Sequence, residues 1–334
     1  MTLDSNVDVN TAVSNTPVTV IMPVYNEEKY IVDCIESLCK QTYGLDKIEW
    51  LFIDGMSSDK TVELIESFSD RLNLKILNNE KRKVTYALNI GIENATGDIV
   101  IRMDAHASYA EDYIEKCVYN LLNSDADNVG GVAETVGRGF VGAANAEILS
   151  SKFGVGNSRF RTGAASGYVD TVPFGAFRRE IFDKIGRFNV DLPRSEDNDF
   201  NSRIRASGGK VYLSTDIRFK YYCRDTVGGL LNQGIKNGNS LFLTLRKNPK
   251  AMSVRHFIPF LFVLSLIVVP IVSIFFFPFV WVLTAELGLY LLLDICFSFQ
   301  GKKKHFFYKL FMYPLFHISY GIGSWLGLFC IKLY

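Results

Sequence analysis

The sequence predicts an α/β protein in which helices flank a mostly parallel sheet, followed by a C-terminal membrane region. Up to about residue 250, short β-rich runs alternate with helical patterns, and this alternation is typical of an open, mostly parallel sheet covered by helices. From Phe257 onwards the apolar runs are long enough to cross a bilayer. The net charge of the whole chain is only +1, and we expect no nucleic-acid partner.

Four apolar runs in the first part of the chain predict the strands of a nucleotide-binding type of sheet. They comprise residues 18–22, 48–53, 74–77 and 98–103. Helical patterns separate them, and the first of these patterns places Ile31, Ile35 and Leu38 on one side. In such sheets, ligands bind in the crevice beyond the carboxyl ends of the strands.

Short polar motifs come directly after three of these strands. PVYNEE begins at Pro23 after the first strand, DGMSSDKT begins at Asp54 after the second, and DAH begins at Asp104 after the fourth. Carboxylates after three strands of one sheet are difficult to explain as solvent-exposed residues without a function. We therefore expect the functional site at this edge of the sheet.

Asp104 and His106 are separated by one residue, so both side chains can turn towards one point in a tight bend. A carboxylate oxygen and a neutral imidazole nitrogen suit Mn²⁺ or Mg²⁺ when a diphosphate supplies the other ligands. An ordinary turn explains the same residues, because the motif alone is weak. The prediction of a metal site therefore depends on the neighbouring motifs.

Asp54 is the acidic residue at the end of the second strand. Acidic side chains in nucleotide crevices often contact the base or ribose, and we expect the same of Asp54. Ser57 or Ser58 can serve as the N-cap of the next helix, and Asp59 can favour its dipole. These three residues need no ligand to explain them.

Two further carboxylates, Glu196 and Asp197, begin an amphipathic helix in the stretch SEDNDFNSRIRASGG. Acids in the first turn of a helix are stabilising without any function. A hydroxyl nucleophile, however, needs a carboxylate that can act as general base. Glu196 and Asp197 are the best candidates in the chain for this role.

The segment from Phe153 to Glu180 is rich in Gly and Ser in its first half and contains Arg159 and Arg161. Its composition suits a mobile lid that can contact a phosphate, although a plain flexible loop is equally compatible. Arg178, near the end of the segment, joins these two as a candidate contact to the acceptor or a phosphate.

Two apolar runs, residues 257–277 and 279–299, predict membrane-spanning helices. Lys and Arg residues flank the pair on both sides, which predicts a hairpin with both ends in the cytoplasm. We therefore expect a multi-pass protein of the cell membrane whose large N-terminal domain is cytoplasmic. The last apolar segment, residues 306–331, leaves two alternatives open: it spans the membrane or lies partly in the interface.

The predicted organisation has three parts. They are a flexible N-terminal tail at residues 1–17, a cytoplasmic domain at 18–250 and a membrane region at 251–334. The tail carries no Lys or Arg and no apolar core, so we do not expect it to be a signal peptide.

Five motifs, taken in order, resemble those of family 2 glycosyltransferases. They are VTVIMPVYNEEKYIVDCIESL, IDGMSSDKT, YALNIGIENATGDIVIRMDAH, VPFGAFRREIFDKIGRFN and SEDNDFNSRIRASGG. The resemblance extends from about Val18 to Arg246. It is greatest to the membrane-attached exopolysaccharide enzymes of the succinoglycan glucosyltransferase type, and the C-terminal FHISYGIGSWLGL is also similar to that subgroup.

The resemblance implies a GT-A fold and assigns roles to individual residues. Asp104 and His106 occupy the positions of the family's DxD motif, with His in place of the second Asp, so a divalent metal, Mn²⁺ or Mg²⁺, is implied. Asp197, next to Glu196, occupies the position of the catalytic base. The implied nucleotide-sugar contacts are Pro23, Tyr25 and Glu27 in the pocket, Asp54 at the base, Lys83 at the ribose or phosphate, and Asp104.

The processive polymer synthases of this family carry a QxxRW motif on a helix near the membrane. Here the nearest equivalent starts at Gln233 and has Lys236 and Asn237 where Arg and Trp would stand. We therefore expect transfer of one sugar per acceptor rather than processive synthesis. Lys236 is a candidate phosphate contact, with a solvated helix charge as the alternative.

The expected reaction is an inverting transfer from a nucleotide-diphosphate sugar, a UDP-hexose, in exopolysaccharide or capsule synthesis. The membrane region suggests that the acceptor is a saccharide on a polyprenyl diphosphate, since both would then meet in the plane of the lipid bilayer. One alternative is a polyprenyl-phosphate glycosyltransferase, which loads a sugar directly onto lipid phosphate. The other is a non-catalytic membrane scaffold whose DxD has decayed, against which the intact Glu196 and Asp197 argue.

Overall fold

The computed structural model describes residues 13, 15–163, 165–192, 194–331 and 333. The chain divides into two compact units. Unit 1 comprises Met1–Glu134 and Gly163–Tyr221, and unit 2 comprises Thr135–Thr162 and Tyr222–Tyr334. Residues 135–162 and 222–250 thus belong to the unit of the C-terminal helices, whereas the sequence analysis placed them in the domain at 18–250. Most of the predicted tail, residues 1–12 and 14, lies outside the described residues.

The strands form one mixed sheet. They are β1 (Val18–Val24), β2 (Ile48–Asp54), β3 (Leu74–Asn78), β4 (Ile99–Arg102), β5 (Ala107–Tyr109), β6 (Asn128–Val136), β7 (Gly167–Tyr168), β8 (Ala176–Arg178) and β9 (Val211–Tyr222). Their order is β3-β2-β1-β4-β8-β6-β9-β5, and β7 pairs with β9. This confirms the α/β fold, and the four strands predicted from the apolar runs are all present.

Strands β3, β2, β1 and β4 pair in parallel. Beyond β4, the pairs β4 with β8, β6 with β8, β5 with β9 and β7 with β9 are antiparallel. The sheet is therefore mixed, with β8 antiparallel to both of its neighbours, β4 and β6. The four predicted strands are joined by helical crossovers, which parallel pairing needs, whereas the later strands were not recognised from the sequence.

The helices follow from amphipathic patterns in unit 1 and from long apolar runs in unit 2. They are α1 (Ile31–Leu38), α2 (Thr61–Glu66), α3 (Val84–Asn94), α4 (Tyr113–Leu122), α5 (Gly139–Leu149), α6 (Lys152–Val155), α7 (Arg159–Thr162), α8 (Glu180–Ile185), α9 (Glu196–Ala206), α10 (Val227–Lys247), α11 (Ile258–Phe275), α12 (Phe279–Ser298) and α13 (Phe306–Leu328). The predicted inward residues of α1, which include Ile31, Ile35 and Leu38, are all buried.

The register of the parallel strands places the predicted motifs side by side. Val24 at the end of β1 pairs with Asp54 at the end of β2, and Asp54 pairs with Asn78 at the end of β3. On the other side of β1, Ile21 pairs with Arg102, the last residue of β4. Every residue of β2 is buried, because a central parallel strand is covered on both faces.

In unit 2, α11 and α12 are long and apolar enough to cross a membrane, and they are the helices of the described residues that meet this test. Only 6% of each apolar window is buried within the protein, so neither is a core helix of a soluble domain. Their bounds agree with the spans expected at 257–277 and 279–299 to within two residues.

Close contact between α10 and α13 organises the rest of unit 2. A Cβ on Gly238 of α10 would overlap the carbonyl oxygen of Tyr320 in α13, and one on Gly323 would overlap that of Ile235. Glycine therefore lets the two backbones touch. Met312, Tyr313 and other residues of α13 are buried, so the helix has one face against protein.

Candidate active site

Hydrogen bonds tie the loop after β1 to the loop after β2. Asn26, which has a left-handed φ of 53°, donates its backbone N–H to Ser57 Oγ at 2.9 Å. The side-chain oxygen of Asn26 accepts from the backbone N–H of Ser58 at 2.9 Å. The backbone N–H of Glu27 donates to Thr61 Oγ1 at 2.7 Å. The motifs PVYNEE and DGMSSDKT therefore form one cross-linked edge, as the strand ends predicted.

The carboxylate of Asp54 is buried at this edge. It accepts the hydroxyl of Ser57 at 2.6 Å and the backbone N–H of the same residue. Its main-chain oxygen accepts from the N–H of Asn79 at 2.7 Å, and the side chain of Asn79 donates to the main-chain oxygen of Lys83 at 2.9 Å. Asp54 and Lys83 are thus linked through Asn79, which is consistent with their lining the same nucleotide pocket. Their contacts with a nucleotide remain predictions.

Two other predicted nucleotide contacts lie on the same edge. Tyr25 is 47% exposed, and a Cβ on Gly55 would lie 3.3 Å from the Tyr25 ring, so the glycine leaves room for the aromatic side chain. Pro23 is the half-buried residue near the end of β1. An exposed aromatic ring above a strand end can stack on a base, and this role of Tyr25 also remains a prediction.

Arg102 is the centre of an ionic cluster that the sequence analysis did not identify. Its Nη1 donates to Glu196 Oε1 at 2.9 Å and to Asp197 Oδ1 at 2.7 Å. Its Nε donates to Asp104 Oδ1 at 3.4 Å. One guanidinium therefore brings together the two motifs that were predicted separately, the DAH motif and the Glu196–Asp197 pair.

The cluster is largely shielded from water. The side chains of Arg102, Glu196 and Asp197 are 7%, 12% and 23% exposed. Burial opposes the charge of Arg102, but the carboxylates of Asp197, Asp104 and Glu196 outweigh burial and raise the pKa of Arg102 well above its ordinary value. The arginine is therefore a permanent cation in the cluster.

Asp197 titrates near neutral pH in this environment. Burial is the largest cause and raises the pKa of Asp197 to about 7; the charge of Arg102 lowers it, and Glu196 and Asp104 raise it. A carboxyl group with a pKa near the working pH can take and release a proton, which a general base requires. This property supports the predicted role of Asp197.

The backbone around the cluster fixes the position of its members. The N–H of Arg102 donates to the main-chain oxygen of Gly175 at 3.0 Å, and the guanidinium carbon lies 5.6 Å from the centre of the Phe174 ring. Ser195, directly before α9, has a left-handed φ of 65°. Few serines adopt this conformation, and it starts the helix at Glu196, so that both acids lie in its first turn.

Glu27 and Tyr109 position the DAH motif. Glu27 Oε1 lies 3.2 Å from Nδ1 of His106. A carboxylate can only accept, so Nδ1 carries a hydrogen, and in the neutral ring Nε2 then carries the lone pair, as in many metal-bound histidines. The buried hydroxyl of Tyr109 accepts the N–H of Asp104 at 2.7 Å and donates to its carbonyl oxygen at 3.1 Å. Glu27 was expected to line the nucleotide pocket, and in the structure its carboxylate contacts His106.

The donors at the DAH motif fit a divalent metal that binds together with a diphosphate. Asp104 supplies carboxylate oxygen, and His106 supplies imidazole nitrogen oriented by a carboxylate. Among the described residues, no group of three or more His, Cys, Asp or Glu could hold a metal by itself. Mg²⁺ and Mn²⁺ sites of this kind use one or two protein carboxylates and take their other ligands from phosphate and water.

The predicted acceptor or phosphate contacts belong to both units. Arg178 donates to the main-chain oxygens of Leu121, Ser124 and Ala126, so it caps the end of α4 and has a structural role in unit 1. Arg159, Arg161 and Lys236 belong to unit 2. Their contacts to a phosphate stay predictions.

The fold and the acidic strand-end site together define a glycosyltransferase of the GT-A class. Residues 19–186 match the model of the family described as Glycosyl transferase family 2. The chain belongs to this family, which confirms the resemblance drawn from the motifs.

Two curated relatives match most of the chain. It is 31% identical over 238 residues to the dolichyl N-acetyl-α-D-glucosaminyl phosphate 3-β-D-2,3-diacetamido-2,3-dideoxy-β-D-glucuronosyltransferase of Methanococcus voltae, over 69% of this chain and 74% of that protein. It is 27% identical over 249 residues to the succinoglycan biosynthesis protein ExoA of Rhizobium meliloti, over 74% of this chain and 75% of that protein.

Solved structures share the fold at low sequence identity. The mannosyltransferase PcManGT from Pyrobaculum calidifontis, in complex with GDP-Man and Mn²⁺, superposes with a TM-score of 0.67 at 20% identity, over 95% of this chain and 88% of that one. TarS from S. aureus, in complex with UDP-GlcNAc, gives 0.52 at 18% identity, over 95% and 93%. These similarities confirm the GT-A fold.

Proposed function

We propose that the protein transfers one sugar from a nucleotide-diphosphate sugar to a lipid-linked saccharide, with inversion at the anomeric carbon. The observation that supports this best is the cluster in which Arg102 holds Asp197 and Glu196 beside Asp104. The cluster joins a candidate base to a candidate metal and diphosphate site, and an inverting transfer needs these two parts close together.

Asp197 acts as the general base. Its Oδ1 is engaged by Arg102, so Oδ2 is the oxygen that accepts the proton of the acceptor hydroxyl. As the proton moves to Asp197, the acceptor oxygen forms a bond to the anomeric carbon, and the bond from that carbon to the diphosphate oxygen breaks. The electron pair of this bond leaves with the nucleoside diphosphate, and the configuration at the anomeric carbon inverts.

Asp104 and His106 would hold the divalent metal, Mn²⁺ or Mg²⁺. When bound, such a metal neutralises charge on the leaving diphosphate. The chain's own contribution is orientation, since Glu27 fixes the ring of His106 and Tyr109 fixes the backbone of Asp104. The neighbour whose structure contains Mn²⁺ and GDP-Man shares this fold, which supports the proposal of a metal.

A lipid-linked acceptor is supported by two observations. The name of the Methanococcus voltae relative specifies a sugar phosphate of dolichol, a polyprenyl lipid, as acceptor. In addition, α11 and α12 are long and apolar enough to anchor this chain in a membrane. An anchored enzyme meets a lipid-borne acceptor at high effective concentration. We place the protein in the cell membrane with unit 1 in the cytoplasm, where it acts in exopolysaccharide or capsule synthesis.

The donor is tested by release of nucleoside diphosphate from purified protein in detergent. The panel contains UDP- and GDP-hexoses and UDP-N-acetylhexosamines, each with Mn²⁺, Mg²⁺ or EDTA, with and without an extract of membrane lipids. We expect release from one donor, with UDP-hexose our first choice, that needs metal and rises with the extract. No release and no metal-dependent binding of any donor would contradict the proposal.

The base is tested by Asp197→Asn, which removes the proton acceptor and keeps the shape of the side chain. We expect at least about 100-fold slower transfer with donor binding within about threefold of the wild type, in line with general-base catalysis. The matched control is Asp183→Asn, which changes an exposed acid in the first turn of α8. Near-normal turnover of the Asp197 variant would show that another group is the base.

A further inference from the structure

Charge is distributed very unevenly between the two units. The segments of unit 2 contain 15 Lys or Arg and four Asp or Glu, whereas those of unit 1 contain 21 Lys or Arg and 31 Asp or Glu. The formal charges are therefore +11 for unit 2 and −10 for unit 1, although the whole chain carries only +1. A charge this high on the unit that contains the apolar helices points to an anionic partner.

One helix of unit 2, α13, has an apolar face that the described part of the chain leaves largely exposed. Five large apolar side chains at spacings of four or seven residues are exposed: Phe307, Phe311, Leu315 and Ile322 in the helix, and Phe329 directly after it. Phe307 and Phe311 are 72% and 68% exposed. These spacings place all five on one side of the helix, opposite the face that packs on α10.

Three lysines stand in the turn that leads into α13. Lys302, Lys303 and Lys304 are all exposed, and a carboxylate within ion-pair distance of their side chains is absent from the described residues. We call these three residues the lysine turn. They remain available for an external anion.

The nearby carboxylate of Glu147 is engaged with other groups. It accepts from Nδ1 of the buried His305 at 2.8 Å, from Nζ of the buried Lys309 at 2.7 Å and from the backbone N–H of Lys302 at 3.3 Å. Glu147 thus fixes the backbone of the turn, and its carboxylate forms an ion pair with Lys309. The backbone of the lysine turn is therefore held in place, and no carboxylate of the described residues forms an ion pair with its side chains.

The position of the lysine turn matches the headgroup layer of a bilayer. It follows directly on α12, whose 20 residues extend about 30 Å, the thickness of a hydrocarbon core. The exposed apolar faces of α11 and α12 belong to the same unit as the apolar face of α13. A second copy of this chain would bring three further lysines to the same place, and like charges would repel.

We infer that unit 2 binds anionic phospholipids, with the lysine turn on their headgroup phosphates and the apolar face of α13 against their acyl chains. This places α13 along the membrane interface, which decides between the two alternatives left open by the sequence. The inference goes beyond the proposed function, because it concerns lipid binding and holds whatever sugar is transferred. Its experiment therefore needs no donor or acceptor.

The test measures binding of individual phospholipids to the full-length protein in detergent by native mass spectrometry. Phosphatidylglycerol is compared with phosphatidylcholine of the same acyl chains, because they differ in charge at the headgroup. Each Lys near an anionic surface contributes about 1 kcal/mol, or roughly fivefold, so we expect a preference of at least about fivefold for phosphatidylglycerol. Raising the salt concentration should reduce it, since these charges are exposed.

Three variants assign the preference to the lysine turn. K302Q/K303Q/K304Q should bring the two lipids to within about twofold of each other, and K302R/K303R/K304R should keep the preference of the wild type. The control K40Q/K47Q/K184Q removes three exposed lysines of unit 1 and should leave it unchanged.

Equal binding of both lipids by the wild type would overturn the inference. So would a preference that the glutamine variant retains in full, or one that salt does not weaken. If the glutamine variant does not fold, the arginine variant and the salt dependence of the wild type still decide between the outcomes. Displacement of phosphatidylglycerol by an equal concentration of inorganic phosphate would show a free-anion site and would also overturn it.

Discussion

Replacement of Arg102 is the perturbation that the structure predicts most sharply. Arg102→Gln removes the positive charge but keeps a polar side chain, and it leaves Glu196, Asp197 and Asp104 without the cation that they share. We expect both the stability of unit 1 and the rate of transfer to fall. Arg102 is linked to the donor site only through Asp104, so we expect donor binding to change less than turnover.

The magnitude follows from burial and geometry. Removing one partner of a buried ion pair costs about 3–5 kcal/mol, and Arg102 is only 7% exposed. The carboxylates can take up protons once the cation is gone, so we expect the lower end, about 3 kcal/mol. A base displaced by about 1 Å lowers turnover by about 100-fold.

The assay combines thermal unfolding in detergent with kcat and KM for the donor. Arg102→Gln should lower the unfolding midpoint by several degrees and kcat by about 100-fold, with KM within about threefold of the wild type. Arg102→Lys keeps the charge, but its single nitrogen cannot reproduce the separate contacts of Nη1 to the Glu196–Asp197 pair and of Nε to Asp104. Its kcat should therefore fall between those of the wild type and the glutamine variant. The matched control is Arg205→Gln, an exposed arginine of α9.

The reasoning about the cluster would be refuted by an Arg102→Gln protein with turnover within threefold of the wild type and an unchanged midpoint. A loss of donor binding equal to the loss of kcat would place Arg102 at the donor instead. Equal defects in the lysine and glutamine variants would show that shape, and not charge, is what the cluster needs.

Three further predictions follow from the same structure. Glu27→Gln removes the carboxylate that orients His106 and should raise the metal concentration for half-maximal activity about 10- to 100-fold in a metal titration. Gly238→Ala inserts a methyl group at the carbonyl of Tyr320 and should lower the unfolding midpoint by several degrees, whereas Gly228→Ala, in open space on the same helix, should not. Turnover should rise with pH through about 7 as Asp197 ionises. Without metal and donor, the free energy of unfolding should fall from about pH 4 to 7. The reason is that the carboxyl group of Asp197 holds its proton more tightly in the folded protein than in the unfolded chain, where its pKa is 3.8.

Local sequence patterns predicted much of the fold. The parallel strands were predicted from apolar runs, and the motifs at their ends from the polar residues that stop each run. Both signals lie within a few neighbouring residues. The register then pairs Val24 with Asp54, because the first residues of β1 and β2, Val18 and Ile48, are also paired. The antiparallel strands are harder to predict because short segments such as Gly167–Tyr168 carry too few residues to show a period.

Arg102 was missed because its role depends on contacts with residues far along the chain. In the sequence it lies within the apolar run 98–103, and its partner Glu196 lies 94 residues away. The sequence did contain a signal, an arginine next to the end of a buried strand. Because an arginine is seldom buried without a partner, this residue predicts a nearby carboxylate. The inclusion of residues 135–162 in unit 2 was equally hidden, since it depends on packing such as the contacts of Glu147.

We propose above that a lipid-linked saccharide receives the sugar with inversion. The most direct measurement is transfer of labelled sugar from its nucleotide donor into organic-soluble product, with either a polyprenyl-diphosphate saccharide or polyprenyl phosphate alone as acceptor. We predict product from the saccharide only, with the anomeric configuration opposite to that of the donor by NMR. Product from polyprenyl phosphate alone, or retained configuration, would contradict the account.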